Sequence, residues 1–179
     1  INDNHALNPS VFKNIPYDSL KDFAPIGFVG STPLVLAVHP SVPAKDVKSL
    51  VAIAKEKPGS ITYASVGVGS ASHLAGAMFG DVAKVELQHV PYRGGAPALI
   101  DLLAGHVNTY FLSPVISLEN IKSGKLKALA LAADKRIEIL SDLPTMAEAG
   151  YPVEASYWFG LVAPAGTPPA VTAKLEKAL

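Results

Sequence analysis

Apolar and polar positions along this chain follow two periods in turn, and their alternation predicts strands separated by helices. Short apolar runs bounded by turn residues predict buried strands, whereas apolar residues three and four positions apart predict amphipathic helices. The predicted strands cover residues 34–38, 61–65, 85–92, 107–112, 126–131 and 157–162. Strands connected by helices in this rhythm favour right-handed βαβ units and a mainly parallel sheet that is covered on both faces.

Helix boundaries follow from the capping and turn residues between the predicted strands. The first predicted helix has its apolar positions at Val47, Leu50, Val51 and Ala54. Ser113 and Pro114 suit the N-cap and the first position of another helix. Thr145 and Glu148 have the spacing of a capping box, which predicts a short helix ended by Gly150. These signals complete an α/β pattern.

One strand-to-helix corner stands out. The β-prone residues 61–65 are followed by Gly67 and Gly69, and a helical pattern begins at Ser70 with apolar positions at Ala71, Leu74, Ala75 and Met78. Such a corner presents unpaired backbone N–H groups and the positive end of a helix dipole to an anion. Glycine at such a corner also serves backbone geometry alone, so the turn by itself leaves both interpretations open.

Three predicted helices begin at the same edge of the predicted sheet. Their N-termini lie near Ser70, Gly95 and Ser113, each directly after a strand. In open α/β sheets the carboxyl edge of the strands is where ligands bind. Each helix N-terminus stabilises a nearby anion by about 0.3 to 1 kcal/mol. The pattern therefore predicts a site for a small carboxylate or phosphate.

The composition narrows the possible functions. The chain has 179 residues, of which 49% are hydrophobic and 17% are charged, so it can build a sizeable core. Fifteen basic residues balance fifteen acidic ones, which argues against a nucleic-acid partner. The absence of cysteine excludes disulfides and thiolate metal sites and fits either cytosol or periplasm. Apart from His73 in the glycine corner, the chain has four histidines, and their spacing is not that of metal ligands: His5, His39, His89 and His106.

The two ends of the chain suggest an internal portion of a longer protein. The chain opens on Ile1 rather than methionine, and it stops at Leu179 inside a helical pattern that begins at residues 167–169. No basic segment followed by an apolar run resembles a signal peptide. We therefore expect any targeting segment to lie upstream of Ile1.

Several segments match the signature of one family in the right order. They are residues 62–65, 67–74, 89–94, 124–130, 143–150 and 158–168. Together they resemble the TctC-like solute-binding proteins, also called Bug proteins, which are the extracytoplasmic receptors of tripartite tricarboxylate transporters. The resemblance covers essentially the whole chain.

The resemblance implies a type II periplasmic binding-protein fold whose two lobes close on a small carboxylate. By that pattern, residues 34–155 form an essentially complete second lobe of α/β structure. Residues 1–33 are part of the first lobe, and residues 156–179 are a crossover strand that returns to the first lobe and is truncated. The family's first strand-turn-helix corner, which grips the other end of the ligand, would precede Ile1.

The function that the resemblance implies is binding without catalysis, cofactor or metal. The protein would capture a carboxylate in the periplasm and present it to the membrane permease subunits of a transporter, after a signal peptide presumed to lie upstream. One alternative is a ligand-sensing receptor of the same fold that acts on a signalling partner, which neighbouring permease or kinase genes would distinguish. A hydrolase that uses Ser70 and His73 is disfavoured, because the Gly-x-Ser-x-Gly elbow is absent.

The expected ligand-binding residues combine the anion-binding pattern with the resemblance. They are Asn4, His5, Ser65, Gly67, Gly69, Ser70, Tyr92, Arg93 and Ser113. Ser70 either donates to the ligand or caps its helix, and the two roles can coexist. Arg93 either contacts a carboxylate or faces solvent, and Tyr92 either offers its hydroxyl or ring to the cleft or packs in the core. His73 is interpreted as structural.

Three apolar residues depart from the family pattern and bear on the ligand. They are Val66, Val68 and Leu112. If they face the cleft, the ligand has an apolar body, which favours a dicarboxylate or an aromatic carboxylate over a hydroxylated acid such as citrate.

The absent first corner leads to an expectation about this chain by itself. A two-lobed site of micromolar affinity needs about 8 kcal/mol, and loss of one gripping lobe removes several of these. We therefore expect the 179-residue chain to bind carboxylates in the millimolar range or not at all, and to self-associate through exposed apolar surface. Calorimetry on a monodisperse sample tests this expectation, and micromolar affinity would contradict the two-lobe interpretation.

Overall fold

The computed structural model describes all residues from 1 to 179, and the chain divides into two compact units. Unit 1 contains Ile1–Thr32 and Tyr157–Leu179, and unit 2 contains Pro33–Ser156. The resemblance to lobes of a binding protein predicted boundaries close to these. The assignment of the two units to those lobes stays a prediction.

Six helices and six strands make up the chain, with one short 3₁₀ helix at Glu138–Leu140. The helices are α1 (Asp3–Val11), α2 (Val47–Glu56), α3 (Ala71–Ala83), α4 (Gly95–Leu103), α5 (Pro114–Lys122) and α6 (Pro169–Ala178). The strands are β1 (Phe23–Val38), β2 (Thr62–Ser65), β3 (Gln88–Pro91), β4 (Thr109–Leu112), β5 (Lys127–Ala132) and β6 (Ser156–Pro164). None of the helices is long and apolar enough to cross a bilayer.

The main sheet has the strand order β3-β2-β4-β1-β5, and β6 pairs with β1. Strand β2 is parallel to β3 and to β4, as the helix connections predicted. Strand β1 is antiparallel to both of its neighbours, β4 and β5. The mainly parallel prediction therefore holds around β2 and fails around β1. A fully buried strand has the same run of apolar residues in either direction, so its pattern carries no information about direction.

The core of unit 2 is built on the second half of β1. All five residues from Leu34 to Val38 are fully buried, and Leu112 and Leu131 on the flanking strands are equally buried. Truncating a buried leucine to alanine in such a core typically costs about 2 to 5 kcal/mol. This rigid sheet supports the loops that follow β2, β3 and β4.

Helix α2 confirms its predicted apolar face, whereas α3 confirms only two of its four predicted positions, Ala71 and Ala75. The four apolar positions predicted for α2 are all buried. In α3 the buried side includes Ala75, Gly76 and Phe79, while Met78 is 44% exposed and Leu74 is half-buried. The ring of Tyr63 lies against Gly76, where an added Cβ would come within 2.3 Å of its carbons. Helix α3 therefore packs against Tyr63 through a glycine, a contact that an apolar periodicity does not reveal.

Two further predictions differ from the structure. Thr145 and Glu148 form the predicted reciprocal hydrogen bonds, at 2.8 and 3.1 Å, but residues 146–150 form turns rather than a helix. The segment ends at Gly150 before helical bonds can repeat, and so short a helix is unfavourable to nucleate. The predicted strand 85–92 shortens to β3, which is an edge strand with one neighbour.

Unit 1 contains elements that the sequence pattern did not predict. Helix α1 begins after the N-cap Asn2, and the first half of β1 extends the predicted strand back to Phe23. Glycines and prolines interrupt that half, which hides its strand character. Large apolar side chains are exposed in this unit, among them Leu20 at 89% and Phe28 at 66%.

Candidate functional site

Three helices of unit 2 begin around one point, directly after β2, β3 and β4. Gly95 at the start of α4 marks that point. A Cβ added to Gly95 would lie 3.6 Å from Ile116 Cδ1 of α5, 3.8 Å from Tyr110 Oη of β4 and 4.0 Å from Val66 Cγ1 of the loop after β2. We call residues 66–70, 93–96 and 113–116 the helix junction. The predicted convergence of three helix N-termini is therefore present.

The glycine corner before α3 is a tight turn closed by Ser70. Gly67 and Gly69 have φ angles of 126° and 81°, a region that favours glycine. The Ser70 hydroxyl donates to Gly67 O at 2.7 Å and accepts from His73 N–H at 3.3 Å. Ser70 is 2% exposed, so capping is the role that this arrangement realises.

Most N–H groups of the glycine corner are already bonded within it. Val66 N–H donates to Ser72 Oγ at 3.2 Å, Gly67 N–H to Ser65 Oγ at 3.1 Å, Gly69 N–H to His73 Nδ1 at 3.2 Å, and Ser70 N–H to Gly67 O at 3.3 Å. Between residues 66 and 70, only the Val68 N–H has no hydrogen-bond partner in the chain. The expectation of a corner with unpaired N–H groups is therefore wrong for all but one of them, because neighbouring side chains satisfy the turn.

The free donors of the helix junction lie instead at the start of α4. Its N-cap, Gly94, has a φ of 125° and makes no side-chain capping bond, unlike the serine caps of α3 and α5. The backbone N–H groups of the four residues from Arg93 to Ala96 have no hydrogen-bond partner in the chain. Consecutive unpaired N–H groups at a helix N-terminus are the usual means of binding an anion through the backbone.

The Arg93 side chain adds a positive charge next to these donors. It is exposed and forms neither a hydrogen bond nor an ion pair within the chain. Arg136, the other arginine, is bound instead to Glu148 at 2.9 Å and to Ser141 O at 3.1 Å. Of the two arginines, Arg93 is thus the one whose guanidinium is uncommitted.

Tyr92 is tied to α4 rather than presenting its hydroxyl. Its Oη donates to Asp101 Oδ2 at 2.7 Å, and burial and then this bond raise the pKa of Tyr92 to about 12. The hydrogen bonds from Tyr92 and then His106 hold the pKa of Asp101 below its usual value. The Tyr92 proton is therefore committed to a neighbouring carboxylate, and its side chain packs against the core cluster of unit 2. Asp101 itself is half-buried.

The remaining predicted residues fall into two groups. Ser113 caps α5 by accepting from Val115 N–H at 3.2 Å, and Ser65 is fully buried beneath the glycine corner. Asn4 and His5 lie in unit 1, where the His5 ring bonds Ser19 O at 2.9 Å. The part of these four residues in ligand binding stays a prediction.

Of the apolar residues at the junction, some were predicted from the sequence and others were not. Leu112 is fully buried in the core and does not face a cleft, and Val66 packs against the same core cluster. Val68 is 56% exposed, and Ile116 in the first turn of α5 is 41% exposed. The sequence signal for Ile116 was its place just after the Ser113 cap, where a side chain borders the helix N-terminus.

A second concave surface of unit 2 lies away from the helix junction. It is a groove of about 640 Å³ between the C-terminal half of α5, the start of β5 and the segment 139–143. Apolar side chains such as Leu118, Ile121 and Leu143 line it, and none of its residues belongs to the junction.

Comparisons with known proteins agree on one family. The model of the tripartite tricarboxylate transporter family receptor, TctC, matches residues 1–179. Protein BugT from Bordetella pertussis is 37% identical over 173 residues, which cover 96% of this chain and 53% of that protein. A protein in the tcbD-tcbE intergenic region of a Pseudomonas species is 39% identical over 167 residues, with 92% and 50% coverage. The chain thus spans about half the length of these curated relatives.

Solved structures give the same result. Rpa4515 of R. palustris with adipate has a TM-score of 0.94 and 35% identity, covering 98% of this chain and 59% of its own. The periplasmic binding protein BugD has a TM-score of 0.94 and 37% identity, with 99% and 60% coverage. MatC from Rhodopseudomonas palustris with bound malate has a TM-score of 0.87 and 32% identity, with 98% and 58% coverage. These similarities confirm the predicted periplasmic binding-protein fold.

Proposed function

This chain belongs to the tripartite tricarboxylate transporter receptor family, and on that premise we propose that it binds a carboxylate at the helix junction of unit 2. A signal peptide directs the protein to the periplasm. There the protein delivers the bound carboxylate to the membrane permease subunits of a tripartite transporter. The chain acts as a receptor and carries out no chemistry on its ligand.

The observation that carries this proposal is the run of free donors from Arg93 to Ala96. Hydrogen bonds to a charged group contribute about 1.5 to 3 kcal/mol each. The dipole of α4 adds about 0.3 to 1 kcal/mol. Two such bonds with the dipole contribute about 3 to 7 kcal/mol before the cost of association, against the about 4 kcal/mol that millimolar affinity requires. The Val68 N–H supplies a further donor from the glycine corner.

The chemical class of the ligand follows from the side chains that border these donors. Val68, Val115 and Ile116 are the exposed large apolar residues of the junction. They suit an aliphatic body rather than a series of hydroxyl groups, since an unmatched hydroxyl beside them loses its hydrogen bonds to water. The relatives solved with adipate and with malate support a dicarboxylate.

Native mass spectrometry of the full-length protein, purified without refolding, tests the proposed function. We expect a retained small molecule whose mass identifies a carboxylate, and we expect excess adipate or malate to displace it. A retained ligand without a carboxylate group would contradict the proposal. So would a retained carboxylate that neither adipate nor malate displaces at millimolar concentration.

Arg93→Gln should weaken adipate binding about three- to tenfold, because it removes one exposed charge next to the carboxylate. The loss should be largest at low ionic strength, since salt screens a charge of this kind. The matched control is Arg136→Gln, which removes the other arginine, whose guanidinium is bound to Glu148 and Ser141 and to no residue of the junction. Equal affinities of the two variants, measured by titration at low salt, would show that Arg93 faces only solvent.

A further inference from the structure

Two imidazole rings lie side by side next to the glycine corner, outside the run of free donors. His73 is in the first turn of α3, and His89 is in β3; their ring centroids are 4.2 Å apart and their planes are tilted by 34°. Tyr63 of β2 stacks on both rings, at 6.4 Å from His73 and 4.9 Å from His89. Tyr63 and His89 are register partners in the parallel pair β2 and β3, which brings the rings together.

Each ring is connected to one glycine of the corner. Gly69 N–H donates to His73 Nδ1 at 3.2 Å, and a ring nitrogen that accepts a hydrogen bond carries no proton. His73 is therefore neutral in this arrangement, with its proton on Nε2. His89 Nε2 lies 2.6 Å from Ser65 Oγ, and that oxygen also accepts from Gly67 N–H at 3.1 Å.

The surroundings keep both rings neutral near neutral pH. Burial lowers the pKa of His73. The pKa of His89 is lowered by burial and, to a smaller extent, by the repulsion that a protonated His73 would exert. Burial also raises the pKa of Tyr63, so this hydroxyl stays protonated over the same range. No carboxylate, lysine or arginine forms a hydrogen bond or ion pair with either ring.

We propose that His73 is a positioning residue for carboxylate binding. Its neutral imidazole supports binding by holding Gly69 in the turn, and protonation of the ring weakens binding. The proposal rests on the proposed function of the helix junction. A protonated Nδ1 would point a second donor at the Gly69 N–H, so their hydrogen bond has to break. The turn that carries the Val68 donor then loses one of its fixed points.

The direction of the pH effect separates this role from a direct contact. A histidine that touched the carboxylate would strengthen binding when protonated, because opposite charges attract. A histidine that positions Gly69 through Nδ1 weakens binding when protonated. Because burial lowers the pKa of His73, affinity should fall only at a pH well below the ordinary histidine pKa of about 6.5.

The test uses ¹⁵N-labelled chain titrated with adipate at about pH 7.5 and about pH 5, the lower value lying well below the ordinary histidine pKa because burial lowers the pKa of His73. His73→Asn keeps an acceptor near the position of Nδ1 but does not titrate, and His73→Leu removes the acceptor. His39→Asn is the control, because His39 bonds Ser41 Oγ in a turn after β1, away from the corner. Protonation of adipate itself affects all variants equally.

We expect the dissociation constant of the wild type to rise about tenfold more on acidification than that of His73→Asn, the scale of one lost hydrogen bond. His73→Leu should bind weakly at both pH values, and His39→Asn should follow the wild type. The inference is overturned if wild type and His73→Asn share one pH profile, or if wild-type binding strengthens in acid relative to His73→Asn.

A second readout needs no ligand and keeps the two proposals separate. In the wild type without adipate, the amide resonance of Gly69 should follow the protonation of the His73 ring. A Gly69 amide that ignores this titration overturns the positioning role, whether or not the variants fold. Absence of adipate binding at about pH 7.5 would instead count against the proposed function, and the Gly69 amide would still decide the inference.

Discussion

Replacing Gly76 with alanine is expected to lower the free energy of unfolding by about 2 to 3 kcal/mol, despite the higher helix propensity of alanine. The added Cβ would lie 2.3 Å from two ring carbons of Tyr63, which is 4% exposed and stacked on His89. The ring cannot move away without disturbing the neighbouring strand. Denaturant unfolding followed by circular dichroism measures the change.

A second substitution serves as the control for this clash. In a Tyr63→Leu background the ring carbons are gone, so Gly76→Ala should cost little or become stabilising by up to about 1 kcal/mol. A double-mutant cycle then gives the coupling between the two positions. A neutral or stabilising effect of Gly76→Ala in the wild-type background would contradict a tight contact between Gly76 of α3 and the Tyr63 ring of β2.

Replacing Gly95 with leucine should reduce adipate affinity by at least about tenfold, the equivalent of one charge-assisted hydrogen bond. Its Cβ would point to the centre of the helix junction, between Ile116, Tyr110 and Val66. The side chain would occupy the space in front of the free donors of α4. The backbone at this position accepts a Cβ, because its three contacts are at ordinary van der Waals distance and Gly95 needs no positive φ. The circular dichroism spectrum of Gly95→Leu checks that the larger side chain leaves the fold intact.

Gly95→Ala and Ala77→Leu are the matched variants for that experiment. Gly95→Ala should keep or slightly raise stability while weakening binding by less than the leucine does. Ala77→Leu adds the same bulk to an exposed position of α3 and should leave affinity unchanged. Unchanged adipate binding by folded Gly95→Leu would remove the start of α4 from the ligand site.

Much of the fold was predictable because its helices and strands obey simple periodic rules. The caps at Ser70 and Ser113 and the apolar face of α2 follow from short-range chemistry that the sequence displays directly. The direction of β1 was not predictable, since an apolar run of five buried residues suits parallel and antiparallel neighbours alike. Nor was the burial of Gly76, which depends on the ring of a residue in another element.

The candidate site was predictable in place but not in its donors. The glycine pattern at residues 67–70 pointed to the edge of the sheet where the three helices begin. Whether an N–H group is free depends on which side chains turn back to it, and here Ser65, Ser72 and His73 do so. The start of α4 stays uncapped because its N-cap is a glycine without a side chain. The glycine at the N-cap of α4 was therefore a more informative sequence signal for free N–H groups than the glycine pattern at residues 67–70.

The most direct test of the helix junction as a carboxylate site is an NMR titration of the ¹⁵N-labelled chain with adipate up to tens of millimolar. We expect the largest amide shifts at Val68 and at the residues from Gly94 to Ala96, with little change at Leu118 or Leu143 in the separate groove. Shifts concentrated in that groove, or no shifts at all up to the highest concentration, would contradict the assignment.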